Sequence, residues 1–361
     1  MMRQYGEEAY ELKKLEFELP QAICKFNCMF CSNYGGTPIE APISKELCFK
    51  LVDEFQECGG ELLVLTGGEP LECPFCLQLM KYAHSKGVRL YLYTSGYPIA
   101  DKPYLVSEIK ELSVEKVYLT VLGSKDTHNL ITQVENSYDK TMKAVALLSR
   151  EGVYVGINFV AMKVNWREWM VVAKSIAEAG AKEFRITEFM PQGRGWENRK
   201  RLDLSLDEYF EMLKEMRQHV PTLRREYGIK LSTEGICFGF LLDPKIFPSP
   251  TCSAGKWGLT VTPEGYIIPC LGARVEPGSR KPKYILGKYT QRGVLKCVWS
   301  HSEILKYFRR FSEKDLKGKC MSCPFLSKCK GGCPIRREIA TGDLNAGPDY
   351  KCIVDLVLTG E

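Results

Sequence analysis

Cys24, Cys28 and Cys31 follow an extended run at Lys14 to Ile23, with three and then two residues between them. Three thiolates on one tight loop can hold three irons of a cubane iron-sulfur cluster and leave the fourth iron without a protein ligand. A structural zinc site needs four ligands at short spacing, and no other Cys or His occurs before Cys48. A second array comprises Cys252, Cys270, Cys320, Cys323, Cys329, Cys333 and Cys352. Between Cys252 and Cys270, two alternating apolar runs around Thr262-Pro263-Glu264-Gly265 read as a β-hairpin, which brings both thiols to one end. The cysteines from Cys320 onward, taken alone, also suit a zinc ribbon.

Cys24-Lys25-Phe26-Asn27-Cys28-Met29-Phe30-Cys31 resembles the cluster loop of the radical S-adenosylmethionine (SAM) superfamily. In that family the open iron chelates the amino and carboxylate groups of SAM, and one electron cleaves its carbon-sulfur bond to give a 5'-deoxyadenosyl radical. The resemblance implies Cys24, Cys28 and Cys31 as ligands of a 4Fe-4S cluster, with Phe30 against the adenine. Thr66-Gly67-Gly68-Glu69-Pro70 is similar to the family's motif for the SAM methionine, which places Gly67, Gly68 and Glu69 in the cofactor site. A glycine pair lets backbone approach a ligand closely, and the carboxylate receives an ammonium. Thr94-Ser95-Gly96 implies a contact from Ser95. Arg185 and Arg194 have the planar fork that grips a carboxylate, of SAM or of substrate, and the Pro and Gly residues near them equally suit a simple exit loop. Thr120-Val121-Leu122-Gly123 departs from the family's usual Ser-Leu-Asp-Gly by carrying Leu122 in place of the acid.

The second cysteine array resembles the SPASM extension of radical SAM enzymes, which carries auxiliary 4Fe-4S clusters. That pattern implies Cys320, Cys323, Cys329 and Cys352 on an outer cluster, and Cys252, Cys270 and Cys333 on an inner one. For the inner cluster's fourth iron, either the position is open to substrate or Cys237 completes it. Cys48, Cys58, Cys73, Cys76 and Cys297 read as small apolar packing residues.

The elements that must position these residues alternate in the sequence. Strands read at 61–66, 88–94, 116–121, 153–162 and 182–189, rich in Val, Ile, Leu, Tyr and Phe. Helical patterns read at about 44–58, 74–86, 104–112, 136–150, 166–179 and 205–219 from caps and breakers. With the strand before Cys24 these make six βα units, and near-continuous apolar strands imply a parallel sheet covered by helices. The fold expected is a partial (β/α)6 TIM-like barrel over residues 1–234, followed by a small cysteine-rich SPASM domain over 235–361. Chemistry in parallel α/β folds sits at the strand ends, so the loops after the strands should face the cluster. His128, on the loop after the fourth strand, reads as a surface residue.

The chain has 361 residues and is 45% hydrophobic, enough for real cores. Sixteen cysteines in a chain this long fit reduced thiols at metal clusters better than a secreted disulfide scaffold. The early acids Glu7, Glu8, Glu11, Glu16 and Glu18 do not suit a secretory signal, and no membrane-length apolar run occurs, so a cytoplasmic protein is expected. Residues from 235 onward hold 20 Lys plus Arg against 11 Asp plus Glu, and the earlier residues 30 against 33. The excess suits an acidic substrate or nucleic acid, or else offsets the negative charge of thiolate-bound clusters; the second reading is favoured because no aromatic-basic stripe of the nucleic-acid-binding kind occurs.

The resemblance implies a two-electron oxidation of a peptide or protein substrate, with an external electron donor such as flavodoxin or ferredoxin. Only 23 residues precede Cys24, so a fused leader-binding domain is not expected and a separate leader-binding partner would supply that role. Leu271 stands directly after the second SPASM cysteine, where sulfatase-maturing relatives have an aspartate base. The alternatives are small-molecule oxidation, such as decarboxylation of tetrapyrrole propionates in haem synthesis, and a non-catalytic zinc-binding interaction protein.

Overall fold

Parallel strands that are apolar on both faces must be covered on both, and the chain meets this with helices outside and the strand-end loops inside. A computed structural model describes residues 10–273 and 281–359. Glu7, Glu8 and the outer limits of the two expected domains, residues 1 and 361, lie outside the described residues.

The main sheet runs, in chain order, through β1 Lys14–Leu19, β2 Leu62–Gly67, β3 Arg89–Thr94, β4 Lys116–Thr120, β5 Val155–Ala161, β6 Glu183–Glu188 and β7 Lys230–Glu234. Each pairs with the next in parallel, with Glu18 beside Thr66 and Leu19 beside Gly67. The partial barrel therefore carries one strand more than the sequence suggests. Strand β7, Lys-Leu-Ser-Thr-Glu, is short and has only Leu231 and half-buried neighbours as an apolar signal. Lys230 and Glu234 stay exposed because β7 is an edge, where half the surface meets water.

The hairpin strand β8, Gly258–Val261, pairs in parallel with β1, and β9 (Tyr266–Ile268) and β10 (Gly287–Lys288) follow it antiparallel. The cysteine-rich region thus continues the barrel sheet beyond its first strand. A further two-stranded pairing joins Lys317–Gly318 to Ala346–Gly347 beside Cys320.

Helix limits follow their caps. Ser44 accepts from Leu47 N to start Lys45–Glu57, and a Ser205/Glu208 capping box starts Leu206–Tyr227. The latter helix runs past the expected stop near His219, through Pro221, to Gly228 in the left-handed conformation. An unanticipated helix at Lys125–Thr132 carries His128, which is fully buried and not on the surface. Its Nδ1 accepts from Leu122 N, and its ring meets Phe26 and Tyr138 edge-on. Among the described residues no helix is long and apolar enough to cross a membrane.

Candidate functional site

A cavity of about 320 Å³ opens at the C-terminal ends of the strands. Cys24, Cys28 and Cys31 line it from one side, and Gly67, Gly68 and Ser95 from the strand ends opposite. The loop carrying the thiols is fastened from two sides, by the helix Lys125–Thr132 and by Arg194. Asn27 N and Met29 N donate to Thr132 O and Ile131 O of the helix under it, each at 3.0 Å. Arg194, on the exit from β6, donates through Nη1 to Cys28 O at 2.9 Å and through Nη2 to Gly35 O at 2.7 Å. Its backbone N donates to Cys31 O at 2.9 Å, so Arg194 braces the cysteine loop through both backbone and side chain.

Gly35 N donates to Cys31 Sγ at 3.2 Å. A Cβ at position 35 would lie 3.3 Å from Cys24 Cβ and 3.5 Å from Cys31 Sγ, so the backbone lies close beside two of the thiols. Burial pushes the Cys24 thiol up to about 12 and Cys28 well above its ordinary value, with neighbouring thiols adding to both. Three thiols brought to one cavity wall are a donor set that an iron cluster would satisfy, since metal replaces their protons. Among the described residues no three Cys, His, Asp or Glu side chains are grouped to hold a metal ion.

Gly68 fits its place only as glycine. A Cβ there would come 1.8 Å from Ala22 O, on the chain leading into the cysteine loop, and the next residue's N donates to that same oxygen at 3.0 Å. Glu69 is buried, and its carboxylate accepts from Thr94 Oγ1 at 2.7 Å, Ser95 N at 2.7 Å, Leu71 N at 3.2 Å and Ser95 Oγ. The expected ammonium acceptor therefore ties the end of β2 to the end of β3. Burial holds its pKa above the ordinary value despite these donors. Phe30 is half-buried, lines the cavity and packs against the apolar cluster that includes Met29, Leu122, Met162 and Phe189.

Arg185 is placed elsewhere. Its Nη1 donates to Tyr93 Oη at 2.6 Å and to Glu234 at 3.2 Å, its Nη2 donates to Tyr118 Oη, and Glu183 lies 3.5 Å away. Because Arg185 sits mid-strand in β6, its guanidinium lies a layer below the strand ends and is not among the cavity's lining residues. Among the cavity's lining residues to which the sequence assigns no site role are Glu18, Asn33, Thr187 and Glu188. The signal that could have found two of them is a carboxylate ending a strand, as Glu18 nearly ends β1 and Glu188 ends β6.

In the second cysteine array, burial and neighbouring thiols act on several members together. Burial raises the Cys270 thiol, and Cys252 and Cys333 raise it further. Burial also raises Cys320 and Cys352; Cys329 and Cys323 add to the first, Cys329 and Cys320 to the second. Cys237 is buried, with Arg336, Asp349 and Cys333 among the groups that act on it. Leu271, next to Cys270, lines the strand-end cavity, so the hairpin forms part of its wall.

Residues 19–176 match the family model described as the radical SAM superfamily, and residues 252–324 match SPASM, an iron-sulfur cluster-binding domain. The chain is 24% identical over 331 residues to an AdoMet-dependent heme synthase of Methanosarcina barkeri, covering 89% of this chain and 90% of the relative. It is 25% identical over 344 residues to the mycofactocin maturase MftC of Mycolicibacterium smegmatis, covering 94% and 82%. Its fold is similar to that of Streptococcus suis SuiB bound to the precursor peptide SuiA, with TM-score 0.74, 18% identity and coverage of 95% and 76%. It is also similar to anSMEcpe with bound AdoMet, with TM-score 0.71, 19% identity and 96% coverage of both chains.

Proposed function

We propose that this chain, a radical SAM protein with a C-terminal SPASM domain, carries out a two-electron oxidation of a peptide or protein substrate. The observation that carries the peptide reading is the charge of the cavity wall. Among the described residues no Lys or Arg lines the strand-end cavity, whereas Glu18 and Glu188 do. A tetrapyrrole presents several propionates, which call for cations in a buried site. A peptide segment does not. A second cavity of about 170 Å³ shares Asn33 and Gly68 with the first and runs between the barrel mouth and the hairpin turn at Pro263 and Glu264, giving an extended chain a route in.

In this reading Cys24, Cys28 and Cys31 hold the 4Fe-4S cluster that binds SAM, and Phe30, Gly67, Gly68, Glu69 and Ser95 shape the SAM pocket. Arg185 acts from below by holding Tyr93, whose ring lines the cavity. When bound, the cluster and SAM together supply a radical that removes a hydrogen atom from a substrate carbon. Arg194 and Gly35 keep the thiols in register, and Glu69 holds Ser95 toward the pocket. Cys252, Cys270 and Cys333 hold an inner auxiliary 4Fe-4S cluster, and Cys320, Cys323, Cys329 and Cys352 an outer one. The division at 234/235, a cytoplasmic setting, an electron carrier such as flavodoxin or ferredoxin and a separate leader-binding protein belong to the same proposal.

The M. barkeri relative favours a second reading, oxidation of a small molecule, because it matches along 90% of its own length. The test is 5'-deoxyadenosine formation by reduced, anaerobic enzyme given host extract split into peptide and small-molecule fractions. Stimulation by the peptide fraction that protease abolishes supports the proposal. Stimulation by the small-molecule fraction alone overturns it.

A further inference from the structure

The strand-end cavity has a buried carboxyl that neither the cysteine loop nor the SAM motif accounts for. Glu188 ends β6, is 6% exposed and lines the cavity beside Thr187, Phe189 and Leu271. Its Oε2 accepts from Tyr209 Oη at 3.2 Å. Its Oε1 lies 2.8 Å from Arg336 Nη1 but has no aligned hydrogen bond. Leu271, directly after Cys270, lines the same cavity and brings no titratable group to it.

From these positions we infer that Glu188 is the proton acceptor for the substrate, supplied from the barrel wall in place of the hairpin. The inference rests on the peptide-oxidising reading. An oxidation that joins a substrate carbon to an S–H, N–H or O–H group, or converts a hydroxyl to a carbonyl, removes a hydrogen atom from carbon, a proton from the heteroatom and one electron. An external one-electron carrier of the ferredoxin or flavodoxin class takes the electron, and Glu188 takes the proton. A decarboxylation releases carbon dioxide in place of that proton and needs no such group.

The surroundings allow Glu188 to change charge. Arg336 is shared with Asp349, whose carboxylate it meets through Nε at 2.8 Å and 3.0 Å. Protonating Glu188 leaves Arg336 and Asp349 as a neutral buried pair, so proton capture strands no charge. Arg336, Asp349 and Lys351 act on Glu188 electrostatically, and Tyr209, Tyr350 and Cys237 are the other titratable groups coupled to it. Burial outweighs the Arg336 charge and pushes the carboxyl up to about 7, where an acceptor works best near neutral pH.

The test compares wild type, Glu188→Gln, Glu188→Asp and Glu188→Ala, each checked for iron content and thermal unfolding. Whichever host fraction stimulates the wild type is used, and both 5'-deoxyadenosine and modified product are measured across pH. We expect Glu188→Gln to keep stimulated 5'-deoxyadenosine formation while product per 5'-deoxyadenosine falls about 100-fold or more. Glu188→Asp should retain part of the yield, and added formate should restore product to Glu188→Ala. An unchanged yield and pH profile in Glu188→Gln would overturn the inference, as would a loss in folded Glu188→Ala that formate leaves untouched. If Glu188→Gln does not fold, Glu188→Asp and the formate rescue decide. A wild type stimulated only by small molecules defeats the peptide reading separately; a product that has lost two hydrogen atoms then leaves the same yields to judge Glu188, and a decarboxylated product overturns its role.

Discussion

Glu69 shows how one buried side chain can tie two strand ends together. Its carboxylate collects donors from Thr94, Ser95 and Leu71 in a place closed to water. Removing it strands those donors, so Glu69→Ala should cost about 3 kcal/mol in urea unfolding and weaken SAM binding in calorimetry. His128 makes a prediction of opposite kind, about pH. Burial pushes its pKa down from 6.5 to about 4, so the folded state favours the neutral ring. The stability this gives, on the order of 3 kcal/mol, is fully present above pH 6.5 and is lost as pH falls through 4. Unfolding of wild type and His128→Leu across that window should show the dependence flattened in the variant. Cysteine spacing and the Gly-Gly-Glu motif were legible because each carries its own local chemistry. The burial of His128 and the cavity position of Glu188 were not, since a single polar residue has no periodic signature and its burial depends on partners distant in sequence.

Between residues and the whole lie the strand ends, whose registers bring the chemistry together. Pairing of Glu18 with Thr66 and Leu19 with Gly67 sets the exit of β1 against the exit of β2. The Gly68 to Ala22 approach then locks the two loops. Gly68→Ala should displace the cysteine loop, cost more than about 3 kcal/mol and lower iron bound per chain, because the atom met is backbone and cannot rotate away. Most strands and helices were readable from apolar runs and caps such as Ser44 and Ser205. Strand β7 was not, because an edge strand carries exposed charge at Lys230 and Glu234 and lacks the continuous apolar run of its neighbours. The pairing of β8 with β1 was also beyond local reading, since the partners lie more than two hundred residues apart and only their shared burial joins them.

For the whole molecule, barrel and cysteine-rich region are joined by ionic contacts as well as by the pairing of β8 with β1. Arg336, from the helix after Cys333, reaches Glu188 of the barrel while holding Asp349, and Asp349 accepts from Cys333 N at 2.9 Å. Arg336→Met would leave two buried carboxylates without their cation and should destabilise the chain by about 3–5 kcal/mol in urea unfolding. Replacing Asp349 as well, with Asn, should recover part of that loss by removing one of the stranded charges. The same architecture puts Leu271, next to Cys270, and Glu188 of the barrel on one cavity, so the second cysteine array adjoins the wall that Glu188 lines. Whether that cavity oxidises a peptide is tested most directly by mass spectrometry of the peptide fraction after turnover with reduced enzyme and SAM. A peptide lighter by two hydrogen atoms, formed in step with 5'-deoxyadenosine, is the expected result. Peptides of unchanged mass alongside a decarboxylated small molecule would contradict it.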